Sequence, residues 1–224
     1  MGGSSETRTV VVTGSASGIG AAIASRLADD GWSVVGIDRS ASAHVHAVDL
    51  ADTGQAAAFA GSLSGVTALV HAAGFMRTAP LGEIDPADGD AMWAVHVRAL
   101  TIFANALAPQ MPPGGRILAI GSRTSAGAGG KSQYAACKAA VTALIRSWAI
   151  ELAPRGVTAN VIAPAATDTG MLSDPGRQGV APVTPPIGRF IRPEEIAAYA
   201  AFILSPDADA ITGQELLVCG GASL

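Results

Sequence analysis

Cysteine is nearly absent from this chain: two residues in 224, Cys137 and Cys219, stand in none of the spacings that metal sites or redox motifs use. They read as two reduced, structural thiols. Charge is sparse as well. Only 14% of residues are charged, the net value is −4 and no basic run occurs, which excludes nucleic acid as the main partner. No internal repeat or low-complexity linker interrupts the chain, so one α/β domain over residues 1–224 is the expectation.

Long unbroken apolar runs are missing too. Mean hydropathy is +0.38 and 49% of residues are hydrophobic, yet the uncharged stretch Ala99 to Gly115 contains Pro109, Pro112 and Pro113 and falls short of the roughly 20 apolar residues of a spanning helix. The excess is Ala, Val and Gly, as expected for a sheet covered on both faces. Met1 to Arg8 holds Gly2, Gly3, Ser4 and Ser5 and no apolar stretch of the secretory kind. A cytoplasmic protein with no membrane partner is therefore expected.

Short β-branched segments alternate with helical patterns to the end of the chain. Strands are expected at Thr9–Thr13, Ser33–Ile37, Val45–Val48, Ala68–His71, Arg116–Ile120, Thr158–Ile162 and Glu215–Val218. The alternation implies βαβ units and a doubly wound parallel sheet of about seven strands. Ile19, Ile23 and Leu27 recur at four-residue spacing before the stop signal Gly31. A late helix opens with Pro193, Glu194 and Glu195 and is expected to bury Ile196, Ala200 and Leu204. The proline-rich stretch Asp174–Pro186 is the candidate for a mobile loop.

After the first strand stands Thr13-Gly14-Ser15-Ala16-Ser17-Gly18-Ile19-Gly20, a TGxxxGxG pattern that opens a helix. Glycines serve here because a Cβ would block the tight turn and keep the backbone from a pyrophosphate resting on free N–H groups. Asp38 closes the second strand about twenty residues on, where a carboxylate accepts from ribose hydroxyls and repels a 2′-phosphate. NAD is expected rather than NADP, with Arg39 beside it as a complication.

Tyr134 and Lys138 lie four residues apart inside an expected helix, Ser132 to Ala153, on one face. An ammonium close enough to lower a phenol pKa from ~10 by about 3 would contribute roughly 4 kcal/mol towards a phenolate near neutral pH. Twelve residues upstream, Ser122 ends a strand at the edge where such sheets bind ligands. His44, His46 and His71 carry no ligand spacing, and no metal site is expected; His71 is placed at a strand end near the cofactor.

In order and spacing these residues resemble the short-chain dehydrogenases/reductases over nearly the whole chain. The matching marks are residues 13–20, Asp49-Leu50, Ala73-Gly74, Gly121-Ser122, Tyr134-xxx-Lys138, Asn160-Val161-Ile162-Ala163-Pro164, Thr169, and Ile211-Thr212-Gly213 to Gly220-Gly221. The resemblance implies a Rossmann-type fold, a homo-oligomer (tetramer or dimer), and hydride transfer between NAD(H) and a secondary alcohol or ketone. It implies Tyr134 as acid/base, Ser122 as the residue that orients substrate, and Lys138 as partner of both the tyrosine and the nicotinamide ribose. The cofactor set it implies is Gly14, Ser17, Gly18, Ile19, Gly20, Asp38, Asp49, Leu50, Ala73, Gly74, Tyr134, Lys138, Pro164, Thr167 and Thr169.

The chain departs from the family pattern in places. The segment usually read as NNAG is His71-Ala72-Ala73-Gly74, the proline-glycine pair is Pro164-Ala165, and the serine-to-tyrosine interval is one residue short. His96 stands where the family has an asparagine in a proton relay, so it joins the catalytic candidates, as a relay or as a packed helix residue.

Phe75, Met76, Arg77, Arg123, Thr124 and the segment Met171 to Pro186, within a substrate loop of about 170–188, are expected to line the cleft. Apolar side chains with two cations suggest a small alcohol or ketone, cyclic or carboxylated, and Ala73–Arg77 with Thr167–Met171 look similar to dihydroxybenzoate-type dihydrodiol dehydrogenases. Two rivals stand beside this: an NADP-dependent ketoreductase of the acyl-carrier type, and a dinucleotide-sensing protein without turnover.

Overall fold

The computed structural model describes residues 8–42, 44–177 and 180–224. Strands β1 (Thr9–Thr13), β2 (Ser33–Asp38), β3 (Val45–Ala47), β4 (Ala68–His71), β5 (Arg116–Ile120), β6 (Thr158–Pro164) and β7 (Glu215–Val218) form one sheet in the order β3-β2-β1-β4-β5-β6-β7. Every neighbouring pair is parallel. Strand β2 runs one residue beyond the expected end because Asp38 pairs with Ala47, and β6 runs to Pro164 because Ala163 and Pro164 pair with Leu217 and Val218. Strand β3 is one residue shorter than expected.

Both faces of the sheet are covered, as the continuous Val/Ile/Leu/Ala content of its central strands requires. On one face lie α1 (Gly18–Asp29) and α6 (Pro193–Ile203), which bury Ile23 and Leu27 against Ile196, Ala200 and Ile203. Gly31, at φ +82°, ends α1 and turns Trp32 back to donate to Leu27 O at 2.9 Å. On the other face lie α2 (Thr53–Ser62), α4 (Ala99–Leu107) and α5 (Ser132–Leu152), packed around Leu100, Phe103, Leu107, Val141 and Ile145. Each such fully buried side chain contributes about 1.5–3 kcal/mol.

Helix α3 (Pro86–Trp93) is joined to α4 by a π turn over Ala94–Arg98. The helical run Pro86–Gln110 is thus longer than the stretch singled out from the sequence, and by length and composition alone it is apolar enough to cross a membrane. Its apolar side chains Met92, Leu100, Phe103 and Leu107 are fully buried in the core. The π turn inserts an extra residue per turn and rotates His96 inward, towards the ends of β4 and β5. Chain order reverses between β1 and β4, which opens a crevice at their C-terminal ends.

Candidate active site

Every cofactor and catalytic residue named from the sequence lines one cavity of about 620 Å³ along the C-terminal ends of β1, β4, β5 and β6. The cavity begins at the glycine turn. Gly14 sits at φ +71°, and a Cβ there would lie 2.7 Å from the backbone of Ala73, so only glycine lets the turn close against the segment after β4. Its N–H donates to Ile37 O at 2.8 Å, which ties the turn to β2. Ser17 precedes α1 with no side-chain cap, and Thr169 packs its methyl against Gly18. The turn thereby keeps a backbone surface and the N-terminus of α1 open to an anionic group, and the chain fits a dinucleotide pyrophosphate there.

Asp38 lines the same cavity from the end of β2. Its carboxylate accepts from Ala16 N at 3.2 Å and from Arg39 N at 2.7 Å, so it is fixed beside the glycine turn with acceptor capacity left over. Asp49 turns its carboxylate to Ala51 N at 2.9 Å, and Leu50 is buried against the cavity wall. Thr167 is buried and donates to Ala165 O at 3.0 Å, which holds the segment after Pro164 in place.

Strand β5 ends at Ile120, and Ser122 opens a 3-10 turn over Arg123–Ala126, its Oγ 2.8 Å from Thr124 Oγ1. Facing it on α5, Tyr134 and Lys138 are 5% and 4% exposed and meet solvent only through the cavity they line. Lys138 Nζ donates to Ile120 O at 2.6 Å and stands 5.7 Å from the centre of the Tyr134 ring. The sequence suggested that this ammonium brings the phenol down towards neutrality. In the structure the opposite holds: burial pushes Tyr134 up to about 12, with the Ser122 hydroxyl and the Arg177 charge pulling only partly back. Burial brings Lys138 down to about 8. The phenol is therefore protonated at neutral pH, and the lysine is anchored first to β5.

His96 is wholly buried. Its Nε2 donates to Phe75 O at 2.8 Å, Nδ1 is buried with no partner among the described residues, and its ring stands edge-on to Tyr134 at 5.5 Å. Burial, and then the Lys138 charge, hold its pKa well below the usual value, so the imidazole is neutral. Gly74 leaves room for it: a Cβ at residue 74 would overlap the His96 ring. His71 ends β4 as expected but turns behind the cavity wall, with Nδ1 2.9 Å from Thr13 Oγ1 and Nε2 3.1 Å from Val95 O. Burial first, then the Lys138 charge, bring it down to about 3.

The substrate wall needs one correction. Arg77, expected to line the cleft, is instead paired with Asp174 at 3.3 Å and Asp88 at 3.9 Å and lies over the Phe75 ring, so it braces the loop from outside. Phe75, Met76, Arg123 and Thr124 do line the cavity, as do Met171, Pro182 and Val183 of the expected loop. Residues 178–179 of that loop lie outside the described residues. Arg177, within the segment 171–186 expected to line the cleft, does line the cavity, and so does Lys131, which the sequence reading did not single out. No spacing signal marks Lys131, which directly precedes α5, and Arg177 carries none beyond its place in that segment.

A family model described as enoyl-(acyl carrier protein) reductase matches residues 14–223. The chain belongs to the short-chain dehydrogenase/reductase family. The (2S)-[(R)-hydroxy(phenyl)methyl]succinyl-CoA dehydrogenase subunit BbsD of Thauera aromatica is 33% identical, over 98% of each chain. The 2,3-dihydro-2,3-dihydroxybenzoate dehydrogenase of Escherichia coli is 32% identical over 97% of each. A crystal structure of a short chain dehydrogenase from Burkholderia cenocepacia in complex with NADP has a TM-score of 0.89 at 31% identity, covering 97% of this chain and 98% of that one. This short-chain dehydrogenase/reductase is an oxidoreductase that uses a nicotinamide dinucleotide on alcohol and keto groups.

Proposed function

We propose that this oxidoreductase interconverts a compact secondary alcohol and its ketone with NAD, using Ser122, Tyr134 and Lys138. The observation that carries the reading is the convergence of these three side chains, on β5 and α5, in the cavity that the glycine turn opens. The bound dinucleotide supplies the hydride acceptor or donor. Ser122 donates a hydrogen bond to the substrate oxygen, and the Tyr134 hydroxyl gives that oxygen a proton in reduction or takes it in oxidation. Lys138, positioned by Ile120 O with its ammonium 5.7 Å from the centre of the Tyr134 ring, is assigned to the nicotinamide ribose and to steadying the charge that forms on Tyr134 only when its proton has been given up. The low exposure of all three limits water at the transfer to what the cavity admits.

NAD rather than NADP is supported by Asp38, whose carboxylate stands where a 2′-phosphate would meet repulsion. Against it weigh Arg39 and the NADP held by the Burkholderia relative. The description of the family model favours, as a second reading, a reductase acting on acyl-carrier substrates. Exposed apolar side chains at Trp93, Ile150, Phe202 and Leu217 support a homo-oligomer, and the free thiols Cys137 and Cys219 support a cytoplasmic setting.

The test is nicotinamide absorbance with a panel of neutral ketones and keto acids, native against Tyr134→Phe. The variant keeps the ring and loses the ionisable hydroxyl, so kcat is expected to fall on the order of 10²-fold or more with cofactor affinity kept. Turnover retained in Tyr134→Phe refutes the assignment. No hydride transfer from the native protein would leave the dinucleotide-sensing reading.

A further inference from the structure

Charges around the substrate end of the cavity do not balance. Asp174 lines it but is committed, accepting from Arg77 Nη1 at 3.3 and 3.4 Å and from Gly176 N at 2.7 Å. Arg123, Lys131 and Arg177 are all partly buried in the same wall, and among the described residues none of the three forms an ion pair. Arg177 Nε is buried without a hydrogen-bond partner. Unpaired cations are costly in a partly desolvated wall, and their usual partner is an anion.

The backbone shows that these cations share one place. Thr78 N donates to Gly176 O at 3.3 Å and Ala79 N donates to Gly130 O at 3.0 Å, so two consecutive residues tie the loop carrying Arg177 to the turn carrying Lys131. A Cβ on Gly130 would lie 2.8 Å from the Val180 side chain, which shows how tightly the two segments pack. Lys131 directly precedes α5, a helix with no acidic residue in its first turn, so the positive end of the helix dipole adds to the three charges. Burial, then the charges of Arg177 and Arg123, lower the Lys131 pKa, as expected for like charges gathered without a counter-ion.

We propose that Arg123, Lys131 and Arg177 form a carboxylate subsite, and that the substrate is a small hydroxy or keto acid seated there with its carbinol carbon facing Ser122 and Tyr134. The inference rests on the oxidoreductase reading and adds the substrate class to it. Arg123 follows Ser122 directly, Lys131 lies one helical turn before Tyr134, and the Arg177 charge acts on the Tyr134 hydroxyl, so the cations border the reacting groups within one cavity. Guanidinium forks match carboxylate and phosphate alike. The short reach to the reacting atoms selects a compact acid over the phosphates of a long carrier arm, and Phe75, Met76, Met171 and Leu172 provide an apolar bed for its carbon body.

The experiment titrates NAD-loaded enzyme with benzoate and with benzamide, near-isosteric probes that differ in charge, by calorimetry at pH 7. Benzoate is expected to bind about 10-fold or more tightly than benzamide, since hydrogen bonds to charged groups are the stronger class. In Arg177→Met combined with Lys131→Met the difference should shrink to within about 3-fold, while Arg177→Lys should keep most of it. Unchanged benzamide and NAD affinities show that the double variant is folded. Equal binding of acid and amide, no binding of benzoate, or a preference that survives the double variant would each overturn the subsite. Displacement of benzoate by coenzyme A at lower concentration than by a hydroxy acid would overturn the compact acid in favour of a carrier phosphate. Hydride transfer to neutral ketones without an acid preference sinks the subsite alone; acid preference without any hydride transfer sinks the oxidoreductase reading alone.

Discussion

Gly74→Ala isolates the consequence of placing a histidine at position 96. The backbone at Gly74 is not left-handed, so alanine brings no conformational strain. What it brings is one methyl aimed at the His96 ring, whose Nδ1 would lie at 2.8 Å and Nε2 at 3.1 Å, with Cε1 closer still. The ring cannot swing away, being wholly buried, bonded to Phe75 O and wedged edge-on against Tyr134. Overpacking of this kind costs about 1–3 kcal/mol. For a chain of this length a loss of about 2 kcal/mol lowers Tm by about 4–8 °C. The assay is a double-mutant cycle by urea unfolding: native, Gly74→Ala, His96→Ala and the pair. The three nearest atoms to the added methyl all belong to His96, so in the His96→Ala background the same substitution should cost no more than about 0.5 kcal/mol. An equal cost in both backgrounds would show that the ring yields or that another neighbour limits residue 74.

Asp38→Ser should narrow or reverse the preference for NAD over NADP in kcat/KM; a native enzyme already favouring NADP would mean that Arg39 outweighs Asp38. His71 and His96 are buried as neutral rings, His71 at about 3, and in the unfolded chain both titrate near ~6.5. Below that value the unfolded chain takes up protons that the fold refuses, so stability present above pH ~6.5 is lost as pH falls towards 3, at up to about 1.4 kcal/mol per pH unit for each ring. Urea unfolding between about pH 7.5 and 5, above the range of ordinary carboxylates, should show this slope, and His71→Asn should lower it; a flat profile counts against burial of the neutral rings. For catalysis, native enzyme and His96→Asn should share one shape of kcat against pH near neutrality, because the buried imidazole does not ionise there; an ionisation present only in the native profile would restore the relay.

The strands and the cofactor edge were legible because each rests on a local rule. Val10 to Val12 and Leu118 to Ile120 are apolar runs buried on both faces, and Gly14 must be glycine for a backbone reason readable from the TGxxxGxG spacing. Tyr134 and Lys138 were legible as a pair by helical period. Their electrostatics were not, since the pKa of a phenol depends on how deeply neighbouring elements bury it, and no spacing reports that depth. Arg77 and Arg177 show the same limit. The carboxylates that neutralise Arg77 lie 11 and 97 positions away, so the cation expected in the cleft is spent on Asp88 and Asp174, while Arg177, expected there only as one residue of the segment 171–186, is left facing the cavity without an ion pair among the described residues.

The two walls of the cleft are built from different material. Ser122, Tyr134 and Lys138 hang from the end of β5 and from a 21-residue helix, stitched together by the bond from Lys138 to Ile120 O. Among the described residues from Ala165 to Arg192, the opposite wall is built of short turns between β6 and α6, tied to the sheet at Ala165 and Ile191 and braced midway by Thr78 N to Gly176 O, by Arg77 to Asp174 and by Ile187 N to Gly220 O. The apolar lining is therefore separable from the chemistry: Met171, Leu172, Pro182 and Val183 can be recomposed to admit new carbon skeletons while Arg123, Lys131 and the proton-handling groups keep their positions on the other wall. A library confined to residues 170–188 is the natural starting point for re-engineering this scaffold.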